Sequence, residues 1–93
     1  MKLKRNPDLI FRKIAGEPLL IPTGALAQRF NGMITLNEVA GFLWENLEEV
    51  SSRQEMVRRL QEEFEVDGQT AVRDVNGFLD MLLEKRFAVD EEK

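Results

Sequence analysis

The chain has 93 residues, a length that fits one domain with a single hydrophobic core. Hydrophobic residues make up 43% and charged residues 32% of it, which excludes wholesale disorder. The absence of cysteine and histidine excludes disulfides, thiolate nucleophiles, imidazole bases and the commonest metal ligands. The net charge of −4 disfavours long-range attraction to nucleic acid.

Neither a signal peptide nor a membrane span is indicated. The basic start, Lys2 to Arg5, has no apolar stretch behind it. No run approaches the roughly 18 apolar residues that a membrane helix needs. We therefore expect a soluble cytoplasmic protein.

The first third of the chain has the pattern of short strands. Apolar, β-prone residues predict a first strand over 9–14 and a second over 18–22, with a turn at 15–17 and prolines at both ends of the second strand. An irregular link is expected over 25–30. Asn31-Gly32 then predicts a turn into a third strand over 32–36.

The last two thirds have helical periodicity. A first helix is predicted over 38–47, capped by Asn37 or by a Thr35/Glu38 capping box. Ser52 and Glu55 form a clear capping box for a second helix, and Asp67 is a good cap for a third helix expected to run to Arg86.

Residues 87–89 are expected to pack back onto the core, and 90–93 to fray. Three strands followed by three helices predict an α+β fold, winged-helix-like, with an N-terminal three-stranded antiparallel sheet.

Apolar residues cover a wide arc of the third helix, roughly 200° against about 100° for a helix that covers a core on one side only. Val72, Leu79 and Leu83 lie on one flank, and Phe78 and Met81 on the other. Either the protein's own helices and sheet enclose both flanks, or one flank lines a groove for a ligand.

The predicted third strand lacks the features that usually protect a sheet edge, because residues 33–36 include no proline and no charge. An unprotected edge beside an over-apolar helix is what binding of an extended peptide by strand addition requires. The alternative is that this strand is central in the sheet, with the first two strands on either side.

Three stretches together resemble the PqqD-like family, namely RNPDLIFRKIAGEPLLIPTG, FNGMITLNEVAGFLWENL and DVNGFLDMLLEKRFAV. The resemblance covers nearly the whole chain, as one domain over 1–93. The features that carry it best are Leu36-Asn37 before a helix with Phe42 and Trp44, and Asp74-Val75 followed by Phe78-Leu79 and Leu82. Two departures are that family members commonly have glycine where Arg86 stands, and that the stretch 25–29 is longer than in the shortest members.

The resemblance implies a winged-helix-like domain without catalysis. Such domains bind the leader segment of a ribosomally made precursor peptide as an added strand beside the third strand, in a cleft against the third helix. They present it to a modifying enzyme, often a radical S-adenosylmethionine enzyme. No catalytic residue, metal or cofactor is then expected.

The peptide site is expected along the third strand and the helix flank that carries Asn76, because its amide could reach a peptide backbone. The opposite flank, with Phe78 and Met81, is the alternative location of the groove. The expected peptide-binding residues are Gly32, Met33, Ile34, Thr35, Leu36, Val72, Val75, Asn76, Leu79 and Leu83.

Other functions fit the sequence less well. The 17 acidic residues interleave with lysine and arginine on helix faces, and Glu62 to Asp67 lacks the order of a calcium loop. The runner-up is a winged-helix DNA-binding protein, although the third helix has no basic stripe. A third option is a weak homodimer paired through the same edge strand.

Overall fold

The computed structural model describes residues 1–92, so Lys93, the last residue of the expected frayed tail, lies outside the described residues. The elements are β1 (Leu3–Arg5), β2 (Leu9–Ile14), β3 (Glu17–Pro22), α1 (Gly24–Ala27), β4 (Ile34–Thr35), α2 (Glu38–Glu45), α3 (Arg53–Glu63), α4 (Gly68–Glu84) and β5 (Ala88–Asp90). The predicted α+β fold is confirmed, with an antiparallel sheet of order β2–β3–β4 and three main helices after it. None of the helices within residues 1–92 has the length and apolar character to cross a membrane.

A tight hairpin joins β2 to β3. Ala15 and Gly16 both have positive φ, 52° and 82°, which matches the right-handed twist of the strands they connect. β3 is the central strand, because it pairs with β2 on one side and β4 on the other. Pro18 and Pro22 therefore lie near the ends of a central strand, where few ladder hydrogen bonds are lost.

The predicted third strand is shorter than expected, since only Ile34 and Thr35 of residues 32–36 are in strand conformation. Gly32 has a φ of 83°, outside the strand region. At the other end, the Leu36 N–H donates to the Pro18 carbonyl at 3.0 Å, but Pro18 has no N–H to return to Leu36. The ladder between β3 and β4 therefore stops after two residues.

Side-chain oxygens cap the three main helices at the predicted residues. Asn37 accepts a hydrogen bond from the Ala40 N–H, Ser52 from the Glu55 N–H and Asp67 from the Thr70 N–H, at 2.7, 3.0 and 2.7 Å respectively. The alternative cap at Thr35 is wrong, because Thr35 belongs to β4.

The capping carboxylates are held in their charged forms. The Thr70 N–H holds the pKa of Asp67 below its usual value, and the Ser51 N–H does the same for the pKa of Glu55. The Glu55 carboxylate thus reaches back to Ser51 rather than to Ser52 as a strict capping box requires.

Two predicted helix ends are corrected. α2 ends at Glu45 rather than at residue 47. The next residue, Asn46, is the C-cap, and its side chain donates a hydrogen bond to the Phe42 carbonyl. α4 ends at Glu84 rather than at Arg86, because Arg86 has a left-handed φ of 60°. The Phe87 N–H donates to the Leu82 carbonyl at 2.8 Å and the Arg86 N–H to the Leu83 carbonyl at 3.3 Å, which is the hydrogen-bond pattern of a Schellman cap.

Three segments differ from the sequence prediction. The link over 25–30 contains the short helix α1, whose Leu26 is buried. A second sheet, which the sequence did not predict, pairs β1 with β5. Asp90 therefore pairs with Leu3 instead of fraying. Of the residues 87–89 expected to pack onto the core, Phe87 and Ala88 are buried, but Val89 is 52% exposed.

α2 packs tightly on the central strand through Gly41. A Cβ built at Gly41 would lie 2.8 Å from the Pro18 Cγ, closer than carbon atoms approach each other. This contact fixes α2, and with it the turn between β4 and α2, against the sheet.

Two matched glycine substitutions test the packing of α2. We expect Gly41→Ala to destabilise the fold by about 1–3 kcal/mol, because Pro18 or α2 must shift. Gly77→Ala on α4 meets nothing within 4 Å and should stabilise by up to about 1 kcal/mol through helix propensity. Urea denaturation of both variants measures the difference, and equal effects of the two substitutions would contradict this packing.

A second test concerns the end of α4. Arg86→Gly should raise the free energy of unfolding by about 0.5–1 kcal/mol, because glycine has no Cβ penalty at a left-handed φ. Arg86→Ala is the control, since it removes the same exposed side chain and keeps the strain. Equal stability of the two variants would show that Arg86 is not strained.

Candidate functional site

One side of β4 has no strand beside it in the part of the chain that the structure describes. Within residues 1–92, β4 pairs only with β3, through Ile34 with Leu20 and Thr35 with Leu19. Sequence reasoning left open whether this strand was central or an edge, and the structure makes it an edge.

The register shows which backbone groups are open. Because Leu36 donates to Pro18 across the β3–β4 pair, the hydrogen-bonding groups of Leu36 and Ile34 point toward β3. Successive residues of a strand point their N–H and C=O groups to opposite sides. The N–H and C=O of Thr35, and by the same alternation those of Met33, therefore point away from the sheet.

The side chains along this edge leave it unprotected. Met33 is 59% exposed, and Thr35 is also exposed. Residues 30–37 contain no charged side chain and no proline. The edge therefore lacks the usual barriers to pairing with another chain.

A cleft of about 340 Å³ lies where β4 leads into α2, between the first turns of α2 and the middle of α4. Half-buried Phe78 forms an apolar part of its wall, and Gly77 leaves that wall open because no side chain projects there. The lining residues are Asn37, Val39, Ala40, Leu43, Arg73, Asp74, Gly77 and Phe78.

The charges at this cleft are mixed. Arg73 lies 3.8 Å from the carboxylate of Asp74, and the Arg73 side chain is largely exposed. Outside the residues that line the cleft, the Arg29 guanidinium lies over the ring of Phe30, which contacts Phe87 edge-on at 5.1 Å. The cleft has no basic stripe, so DNA binding through α4 is not favoured.

The flank of α4 that sequence reasoning preferred lies elsewhere. Val75 and Leu79 are 0% exposed and belong to the core. Val72 and Asn76 line a small cavity beside Val57 of α3, where the Asn76 side chain accepts a hydrogen bond from Arg53 at 2.9 Å.

Leu83 lies still farther along the same flank, in a cavity with Met1 and Ser52. The structure thus brings Val72, Asn76 and Leu83 together with α3, and brings Asp74, Gly77 and Phe78 together with Asn37, the cap of α2. The sequence analysis did not predict Asn37 and Val39 as cleft residues. Asn37 was recognised only as a helix cap. Which flank of α4 faces the cleft had no signal in the local sequence.

No group of three or more acidic, histidine or cysteine side chains that could hold a metal ion occurs in the described part of the chain. The fold and its open edge define a winged-helix-like α+β domain with a surface suited to strand addition.

The family model described as "Coenzyme PQQ synthesis protein D (PqqD)" matches residues 19–88, from β3 to β5. The chain therefore belongs to the PqqD family, as the resemblance of its sequence predicted. No curated protein matches the chain.

Two solved structures are similar over nearly their whole lengths. TbiB1 in complex with the TbiA(beta) leader peptide is 26% identical with a TM-score of 0.70, over 95% of this chain and 94% of that one. A lasso peptide synthetase B1 complexed with the leader peptide is 19% identical with a TM-score of 0.75, over 97% of this chain and all of that one (100%). The second likeness supports the fold alone.

Proposed function

We propose that this protein is a non-catalytic adaptor that binds the leader segment of a ribosomally synthesised precursor peptide and presents it to a modifying enzyme. The observation that carries the proposal is the open side of β4, where the N–H and C=O of Thr35 point away from β3. TbiB1, which shares the fold and 26% of its residues, was solved with a leader peptide bound.

The leader would add as a further strand beside β4. Its backbone would hydrogen bond to Thr35 and Met33, and this main-chain pairing supplies affinity that depends little on sequence. Alternate side chains of the leader would then point toward α4, where Phe78 and the opening at Gly77 form an apolar wall. We therefore place the groove on the Phe78 flank of α4 rather than on the flank of Val72 and Leu83.

The modifying enzyme is proposed from the family, whose members commonly serve radical S-adenosylmethionine enzymes. A rigid adaptor suits this role, because the bound leader would hold the rest of the precursor near the enzyme at a high effective concentration. Catalysis would belong to the enzyme, and the adaptor would contribute only binding.

Amide NMR titration with leader peptides of candidate precursors tests the location of the groove. We expect chemical shift changes at residues 33–36, which form the open edge, and at 73–78 of α4, which include the α4 residues that line the cleft where β4 leads into α2. Residues 53–57 of α3 serve as the internal control and should not shift. Changes confined to 53–57, Val72 and Leu83 would contradict the proposed groove.

Thr35→Pro tests the main-chain pairing. Proline removes the N–H that points away from β3, so leader affinity should fall by about tenfold or more. The fold should survive, because that N–H makes no hydrogen bond to β3. Thr35→Val is the matched control, since it keeps the backbone N–H and the side-chain shape. Isothermal calorimetry measures both variants, and equal affinities in folded proteins would reject strand addition.

A further inference from the structure

The face of the sheet that points away from the core is mostly apolar, because strand alternation places Ile10, Ile14, Leu19, Ile21 and Met33 on it, beside Arg12, Glu17 and Thr35. Cross-strand pairs place Ile10 beside Ile21, and Leu19 between Arg12 and Thr35, all on this outer face. The alternate residues of the same strands, such as Leu20 and Ile34, belong to the core or pack against it. Leu19 is only 7% exposed although it lies outside the core cluster.

This composition is unusual for a sheet face that water can reach. Antiparallel strands with one solvated face normally alternate apolar residues inside with polar residues outside. Here two of the most exposed large apolar side chains, Ile14 at 53% and Met33 at 59%, belong to the outer face. Ile14 is at the β2–β3 hairpin, on the edge far from β4, and Met33 immediately precedes β4.

A strand added beside β4 would have side chains on both faces. The added residues opposite Thr35 and Met33 would lie on the outer face, because paired residues of neighbouring strands share a face. The added residue between them would lie opposite Ile34, on the inner face toward α4. An outer residue beside Met33 would cover its exposed side chain and extend the apolar surface of Leu19 and Ile21.

We propose that the outer face of the sheet is the second half of the peptide site, which selects a leader segment with three successive apolar residues. This inference rests on the proposed function and names the class of peptide that the edge would take. A segment of alternating apolar and polar residues would satisfy the inner face only, and would leave Met33 exposed or beside a charge.

The size of the outer face favours a peptide over a second folded protein. Three strands of up to six residues span about 20 by 14 Å, or about 300 Å², by ordinary strand dimensions. A stable interface between folded proteins buries roughly 800 Å² per partner. The outer face is therefore small for a stable homodimer, and it adjoins the open edge where single side chains of an added strand would lie.

Phage display of random ten-residue peptides against the intact protein tests the inference without knowledge of the natural precursor. We expect the selected peptides to have three successive apolar residues and to lose binding in Thr35→Pro. Replacing an outer apolar residue of a selected peptide by lysine should weaken binding by about tenfold, the effect of burying part of a methionine side chain.

The decisive experiment repeats the selection with the Met33→Lys variant. The fold should tolerate this substitution because the Met33 side chain is exposed. The preference at one outer position should change from apolar residues to aspartate or glutamate, while the inner position stays apolar. Ile14→Lys is the matched control, because Ile14 is on the same face but far from β4, and it should change nothing.

Two results would overturn the inference. Peptides that need the Thr35 N–H but alternate apolar with polar residues, and respond equally to Met33→Lys and Ile14→Lys, would overturn it and leave the proposed function standing. Peptides that bind Thr35→Pro as well as the natural protein, or a library that yields no binder, would overturn the inference together with the proposed function.

Discussion

A strand points its hydrogen-bonding groups alternately to its two sides, and within the described residues 1–92 only one side of β4 meets another strand. The groups of Ile34 and Leu36 face β3, while those of Thr35 face away from it. A ligand that covers these groups without pairing with them removes their hydrogen bonds to water at a cost in free energy. An extended chain replaces those hydrogen bonds, so it is favoured over such a ligand. The groove and the proposed choice of peptide follow from this open side.

The rest of the fold holds that edge in place. β3 anchors β4 on one side, and the close contact of Gly41 with Pro18 fixes the start of α2 against the sheet. α4 has apolar residues on two sides because one side packs in the core and another lines the cleft. Val75 and Leu79 fill the core, and Phe78, on the side of Asn37, forms a wall of the cleft.

Local signals predicted what depends on local physics. Asn37, Ser52 and Asp67 cap their helices as predicted, because a cap needs only a side-chain oxygen and an N–H three residues later. The strand over 9–14 was predicted with its bounds, because its apolar, β-prone residues and the turn that follows it are both local signals.

The features that sequence reasoning missed depend on distant parts of the chain. β1 and β5 are three residues each and pair across almost the whole chain, so neither has a recognisable pattern. The shortness of β4 depends on Pro18 in a different strand, and the flank of α4 that lies beside Asn37 depends on how α3 packs against α4. The end of α4 needed the left-handed backbone of Arg86, a conformation that arginine does not signal.

Hydrogen exchange of single amides, measured by NMR with and without a bound peptide, tests the open edge most directly. In the free protein the Ile34 and Leu36 amides should be protected and the Thr35 amide should exchange fast, because only the first two face β3. With peptide bound, the Thr35 amide should become protected as well. A Thr35 amide that is already protected in the free protein, or that stays unprotected in the complex, would contradict the account.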